Sequence, residues 1–378
     1  MRCRKKALTL HSNYIILKNK TDFLLMKKGL CLLAMAASSM MLWAQKDIVD
    51  LKIEVRADYQ REYMDGESIE ENCGFRGKYL NMAISGNIND HFSYSWRQRF
   101  NKMIGPEGSS FFDATDWAWL AYNIKDFEIS AGKQVVGIGG YEYDRAPIDL
   151  YFCSEFWNNV ACYQFGVSGA YSFNEGKDKL MFQFCQSPFR NHESAWNPAD
   201  KNGKVRNLDM YAYNLMWYGN HGIFSSIYSF NMIEYAPGRF INYISLGNKF
   251  TFNRVSLELD FMNRATSGHT FFFKDMSLIG ELSWRPIDCL NIFGKVSYDV
   301  NNTDNNDLYV LPGTEMTRVG GGVEYHPVKN KRHDVRLHAS YYHTFGKNDN
   351  TESLLREGHS GFNVGVTWKF DVFKLAKK

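Results

Sequence analysis

The sequence predicts an all-β fold, a transmembrane up-and-down β-barrel of about 16 antiparallel strands with long external loops and short periplasmic turns. Three observations carry this. Segments near the length of a tilted membrane strand alternate apolar and polar residues. The connections between them alternate long and short. An apolar export-like segment precedes the first strand.

That leading segment is separable from the rest. Residues 1–44 hold eight basic residues against Asp22 alone, so of the whole chain's net +3 the remainder carries −4. From Met26 the pattern is that of a signal peptide. Lys27 and Lys28 form the charged start, residues 29–43 an apolar stretch, and Leu42-Trp43-Ala44 precedes Gln45. The expected organisation is a misassigned N-terminal extension at 1–25, a signal peptide at 26–44 and one barrel domain at 45–378.

The first strand shows the clearest alternation. Val49, Leu51, Ile53, Val55, Ala57 and Tyr59 interleave with Asp50, Lys52, Glu54, Arg56, Asp58 and Gln60. A strand sorts these onto two faces, whereas a helix would mix them around its surface. Further segments follow at 78–89, 91–100, 114–124, 127–135, 161–173, 179–187, 208–218, 223–234, 239–251, 255–264, 276–284, 290–300, 318–326, 333–345 and 360–372, the first being 48–60. Mean hydropathy of −0.39 argues against a bundle of membrane helices, which needs repeated apolar runs of about 20 residues. A barrel tolerates that value, because only alternate residues meet lipid and every backbone group is paired between strands.

Long connections fall near 61–77, 101–113, 136–160, 188–207, 265–275, 301–317 and 346–359. Short ones carry turn residues, as at Asn89-Asp90, Lys125-Asp126 and Asn253-Arg254. The connection around Ala236–Gly238 breaks the rhythm, being short where a long loop is due. Aromatics gather at strand ends, among them Phe100, Phe127, Phe173, Trp217, Trp284, Tyr325 and Phe345, the positions of interfacial girdles. A soluble sandwich also alternates, but it explains neither the export segment nor the loop rhythm.

Sixteen strands enclose water, so the polar face points inward. The expected basic residues of the lumen are Lys52, Arg56, Arg97, Arg99, Lys295 and Arg336. The most informative connection is the third long one, 136–160. Its glycines permit a sharp inward bend, its aromatics pack on the wall, and Glu142, Asp144, Arg145, Asp149 and Glu155 face the channel. A loop folded that way sets the pore's narrowest width and its field.

The string Ile129-Ser130-Ala131-Gly132-Lys133-Gln134, a strand end with a Gly-basic-polar turn before a long aromatic and acidic loop, resembles the matching region of the phosphate-selective porin O/P family. The resemblance spans essentially the whole mature chain. It departs where Val135-Val136-Gly137 stands in place of the Pro-Phe-Gly that often follows the basic residue. It implies a trimeric outer-membrane porin with an inward-folded third loop, in which lumen arginines and lysines select anions such as phosphate. The expected partners are outer-membrane lipid and small hydrophilic solutes or anions, with a homotrimer as the assembly. The inward charges read from the sequence are of mixed sign, which argues against a simple anion filter.

Other classes fit less well. A body of net −4 offers nucleic acid no basic surface. Asn191-His192-Glu193-Ser194 has hydrolase residue types without the geometry that defines a triad. His333, Asp334 and His338 lack ligand spacing, and Gly137–Gly140 and Gly320–Gly322 precede no helix. No enzyme activity, cofactor or metal is expected. A non-conducting barrel whose long loops bind a surface partner is the alternative. Beyond the leader, Cys73, Cys153, Cys162, Cys185 and Cys289 form an odd set that leaves room for one pair, Cys153–Cys162.

Overall fold

The structure, a computed structural model, describes residues 49–374 apart from 103–110, 159, 161, 191–198, 202, 204, 267–272, 304–312, 331 and 349–357. The expected extension and signal segment lie outside the described residues, as does Asn191–Ser194.

Alternation becomes strand throughout. In chain order the strands are β1 (Asp50–Met64), β2 (Glu67–Ser68), β3 (Gly74–Asn87), β4 (Phe92–Arg99), β5 (Thr115–Ile124), β6 (Phe127–Val135), β7 (Tyr163–Phe173), β8 (Asp178–Gln186), β9 (Tyr211–His221), β10 (Phe224–Ala236), β11 (Arg239–Phe252), β12 (Val255–Thr266), β13 (Asp275–Ile287), β14 (Leu290–Asn301), β15 (Thr314–Lys329), β16 (His333–Asn348) and β17 (Gly358–Lys374). The two-residue β2 only extends the hairpin of β1. The other sixteen pair antiparallel with their sequence neighbours, and β17 pairs with β1 from Asp50 opposite Lys374 to Met64 opposite His359. The sheet therefore closes and leaves no free edge.

Several strands outrun their expected bounds at the long-loop end. β1 continues to Met64, β3 starts at Gly74, and β15 starts at Thr314. Beyond the hydrocarbon layer a ladder needs no apolar face, so pairing continues where alternation stops. Short turns do join the other end, and β10 meets β11 through the tight connection expected at 236–238.

Sidedness is inverted relative to a soluble protein. Leu120, Ile129, Val167, Leu180, Leu215 and Leu259 are exposed on the outside, where a bilayer must cover them. Asn81, Gln98, Gln183, Asn214, Asn231 and Ser245 are buried inside. The girdle aromatics Phe100, Phe127, Phe173, Trp217, Trp284, Tyr325 and Phe345 are likewise exposed. Among the described residues no helix is long and apolar enough to cross a membrane, so the strands are the crossing elements. The lumen still holds one apolar cluster, where Val136, Ile138, Tyr143 and Phe156 of the third long connection meet Ile233, Ile241, Tyr243 and Met262 of the wall. That connection lies inside the barrel.

Candidate functional site

The third long connection leaves β6 at Val135 and walks around the inner wall, exchanging partners strand by strand. The Gly137 amide donates to Gln183 Oε1 of β8 at 2.8 Å, and its carbonyl accepts from Asn231 of β10. Gly139 donates to Ser229 Oγ at 2.8 Å. Gly140 then sits against β11 at φ +100°, so close that a Cβ on the facing Gly247 would lie 2.7 Å from the Gly140 Cα. Only a glycine pair allows two backbones this approach.

Directly after Gly137–Gly140, where no helix was expected, comes the one-turn helix Tyr141–Asp144, too short to leave a periodic signal and without a side-chain cap of its own. Asp260 of β12, the register partner of Gly247, caps it from the adjacent wall, accepting from the Tyr141 amide at 2.9 Å and the Glu142 amide at 2.8 Å. A carboxylate at a helix start satisfies amides that have no intrahelical partner. Glu142 itself is buried against Lys295 of β14 at 2.5 Å and accepts from the Ser154 amide and hydroxyl. Burial pushes its carboxyl up, but Lys295 and Ser154 together hold it below the ordinary glutamate range. Arg145 forks between Glu258 and Glu281.

The segment then crosses to the far wall. Arg56 of β1 donates to the Ile148 and Leu150 carbonyls while gripping Asp58 at 2.7 Å. Asp149 accepts from Arg336 of β16 and Lys369 of β17, at 2.8 and 2.7 Å. Burial again works against the charge, and these two cations keep Asp149 below the usual aspartate range. The guanidinium groups of Arg56 and Arg336 lie over the Tyr151 ring at 4.6 and 5.7 Å, and the Tyr151 hydroxyl donates to Glu324 at 2.7 Å. Phe152 packs near Phe293 and Tyr342. On the return, Arg318 of β15 binds the Cys153 carbonyl and Glu155.

Two cavities flank this crossing. The inner one, about 510 Å³, opens toward the short turns at Asn253 and Arg254. The outer one, about 270 Å³, opens toward the long-loop end at Glu62 and His359. Leu150, Tyr151 and Phe152 line both, so this tripeptide separates them. Arg145, Lys249, Arg254, Arg285, Lys295 and Arg336 line the inner cavity against Asp149, Glu258, Glu281 and Glu324. Arg56, Lys78 and Arg318 line the outer one against Glu62 alone.

The sequence-predicted residues divide between the crossing and the wall. Glu142, Arg145, Asp149 and Glu155 of the loop meet the wall through ion pairs, and Arg56, Lys295 and Arg336 meet the loop. Asp144 is exposed and lines neither cavity. Lys52 pairs with Asp50 at 3.2 Å, while Arg97 and Arg99 share Asp116, and none of the three lines either of these two cavities. Arg318 was hidden because Glu315, Met316 and Thr317 reverse the apolar-out pattern, so the alternation starts only after them. Tyr151 is legible only as one of the loop's wall-packing aromatics, and strand parity puts Lys78 on the lipid side. The five cysteines of the barrel are free. The expected Cys153–Cys162 pair does not form, because Arg318 holds Cys153 on the β15 side while the Cys162 carbonyl stays bonded to Val136 beside β6. Among the described residues no three His, Cys, Asp or Glu side chains converge as metal ligands, and His338 is bonded to Asp58 at 3.0 Å.

Residues 49–270 match the family model described as phosphate-selective porin O and P. No curated protein matches the sequence. Solved structures share the fold at low identity. An anion-selective porin from Comamonas acidovorans aligns with TM-score 0.57 and 12% identity over 86% of this chain and 100% of that one. The outer membrane channel DcaP of Acinetobacter baumannii aligns at 0.58 and 11%, over 86% and 97%. OmpT of Vibrio cholerae, described in trimer form, aligns at 0.55 and 11%, over 86% and 100%.

Proposed function

Because the chain belongs to the phosphate-selective porin O and P family of outer-membrane channels, we propose that its pore passes small hydrophilic solutes with a preference for anions, and that residues 136–158 form the constriction. The observation that carries this is the lining of the two cavities. Six basic residues face four acidic ones on the inner side, and three face one on the outer side. Selectivity follows the local field at the narrow point, where water is scarce and charges are weakly screened, and the chain's net charge has little part in it. The mixed signs read along the strands are consistent with this, because much of the acid is spent holding the loop. Glu142, Asp149 and Glu155 are tied to wall cations that still present surface to the cavities.

Glu142, Arg145, Asp149 and Glu155 are therefore assigned to fixing the constriction, and Arg56, Lys295 and Arg336 to its positive field. Lys52, Arg97 and Arg99 are assigned to the wall. The native assembly proposed is a trimer in outer-membrane lipid. Residues 26–44 are the export signal, removed so that Gln45 begins the mature chain, and the native N-terminus read by sequencing tests this. Reversal potentials in planar bilayers across a potassium chloride gradient test the selectivity. The expected chloride-to-potassium permeability ratio is about three or more. A ratio of one or below overturns the anion reading.

A further inference from the structure

Alternation counted back from the inward-facing Asn81 and Tyr79 would turn Lys78 toward lipid. It does not, because the pairing of β1 with β3 slips at this point. Arg56 lies opposite Tyr79 and Ala57 opposite Gly77, which makes Lys78 the extra residue of a β-bulge. A bulge re-aims a side chain, and here Lys78 and its neighbour Tyr79 both line the outer cavity. The other two basic residues of that cavity are engaged, Arg56 with Asp58 at 2.7 Å and Arg318 with Glu155 at 3.0 Å. Lys78 makes no ion pair among the described residues. Asp58 and Glu62 act on its charge at longer range, but it is bonded to neither and can meet a solute.

A second group is also unspent. Asn363 of β17 lines the same cavity, is only 7% exposed, and its Oδ1 has no hydrogen-bond partner. A buried acceptor without a donor is costly. A deprotonated anion oxygen cannot satisfy it, whereas any hydroxyl can, so the acceptor calls for a solute that brings an O–H as well as a charge. The same cavity is also lined by the aromatic rings of Tyr79, Trp157 and Tyr342. The volume of about 270 Å³ sits just under the ~300 Å³ at which pockets for drug-sized ligands begin. That is room for one sugar ring and much more than a bare inorganic anion fills.

Resting on the porin reading above, we propose that the outer cavity is a binding site for an anionic monosaccharide, with Lys78 holding the acid group, Asn363 accepting from a ring hydroxyl and the aromatic wall covering the apolar face of the ring. The bulge is then the device that converts a lipid-side position into a solute-capture residue.

The test uses purified protein in planar bilayers, with glucose 6-phosphate, glucuronate, glucose and inorganic phosphate added on the long-loop side. At least one of the two sugar anions is expected to interrupt the chloride current at concentrations about tenfold below those needed for glucose or phosphate. Block by glucose 6-phosphate alone supports the site and assigns it to sugar phosphates. Block by glucuronate alone supports it and assigns it to sugar acids. Lys78→Gln should raise the half-blocking concentration of the active sugar about tenfold, while Lys78→Arg, which keeps the charge, should restore block. Phosphate blocking as well as the sugars, or a Lys78→Gln channel blocked like the parent, overturns the site. A conducting channel that no sugar anion blocks also overturns the site and leaves the porin reading standing. Absence of any chloride current overturns both.

Discussion

A Gly247→Val variant is expected to conduct about two- to fourfold more current per channel than the parent, with noisier open states. Gly247 faces inward from β11, and a Cβ there would sit 2.7 Å from the Gly140 Cα and 2.9 Å from an Asp260 carboxylate oxygen. Both neighbours belong to the loop anchor. One is the loop backbone itself and the other caps its one-turn helix. A backbone atom cannot rotate away as a side-chain tip does, so the loop must leave. The barrel tolerates the change, because valine suits a strand and the ladder hydrogen bonds of β11 are untouched. The variant should therefore keep heat-modifiable migration on gels while its conductance rises. Unchanged conductance in a folded barrel would show that residues 136–158 do not limit the current.

Lys295→Met is expected to free the loop by a different route. Lys295 and Glu142 are each about 3% exposed and lie 2.5 Å apart, and the ammonium also donates to the Phe152 carbonyl at 3.1 Å. Taking away one member strands the other charge in a place it cannot hydrate. Breaking a buried pair this way costs about 3–5 kcal/mol. The cost falls on the docked loop, because the strand ladder of β14 does not depend on the side chain. Proteolysis within the loop should become faster by about two to three and a half orders of magnitude, in line with that energy. Glu142→Gln alone should loosen the loop as well. The double variant Glu142→Gln with Lys295→Met should recover most of the protection, since two groups without charge need no partner ion. Loss of protection in the double variant equal to the sum of the singles would refute the coupling.

How far the sequence reached depends on the range of the physics involved. The sixteen barrel strands and their order were legible, because a residue's side of a strand follows from its parity and the turn residues mark the reversals. Strands such as β6 and β14 fall within a residue or so of their expected bounds. The third long connection stood out for its length, glycines and aromatics, and its charges Glu142, Asp144, Arg145, Asp149 and Glu155 were legible as channel-facing, although Asp144 lines neither cavity. Their partners were not. Arg56 meets Leu150 across 94 positions and Arg336 meets Asp149 across 187, and no local pattern joins residues so far apart.

The charge balance shows the same division. The sequence by itself determined a closed sheet, its sidedness and a polar interior, because alternation, turn chemistry and the need to pair every backbone group in lipid leave little choice. Only the tertiary structure decided which of those interior charges are spent on each other and which face a solute. Acids of the loop neutralise cations of distant strands, and one bulge turns Lys78 out of its parity into the outer cavity. Both outcomes depend on what lies opposite across the lumen, a relation set by how the barrel closes and where the loop lands.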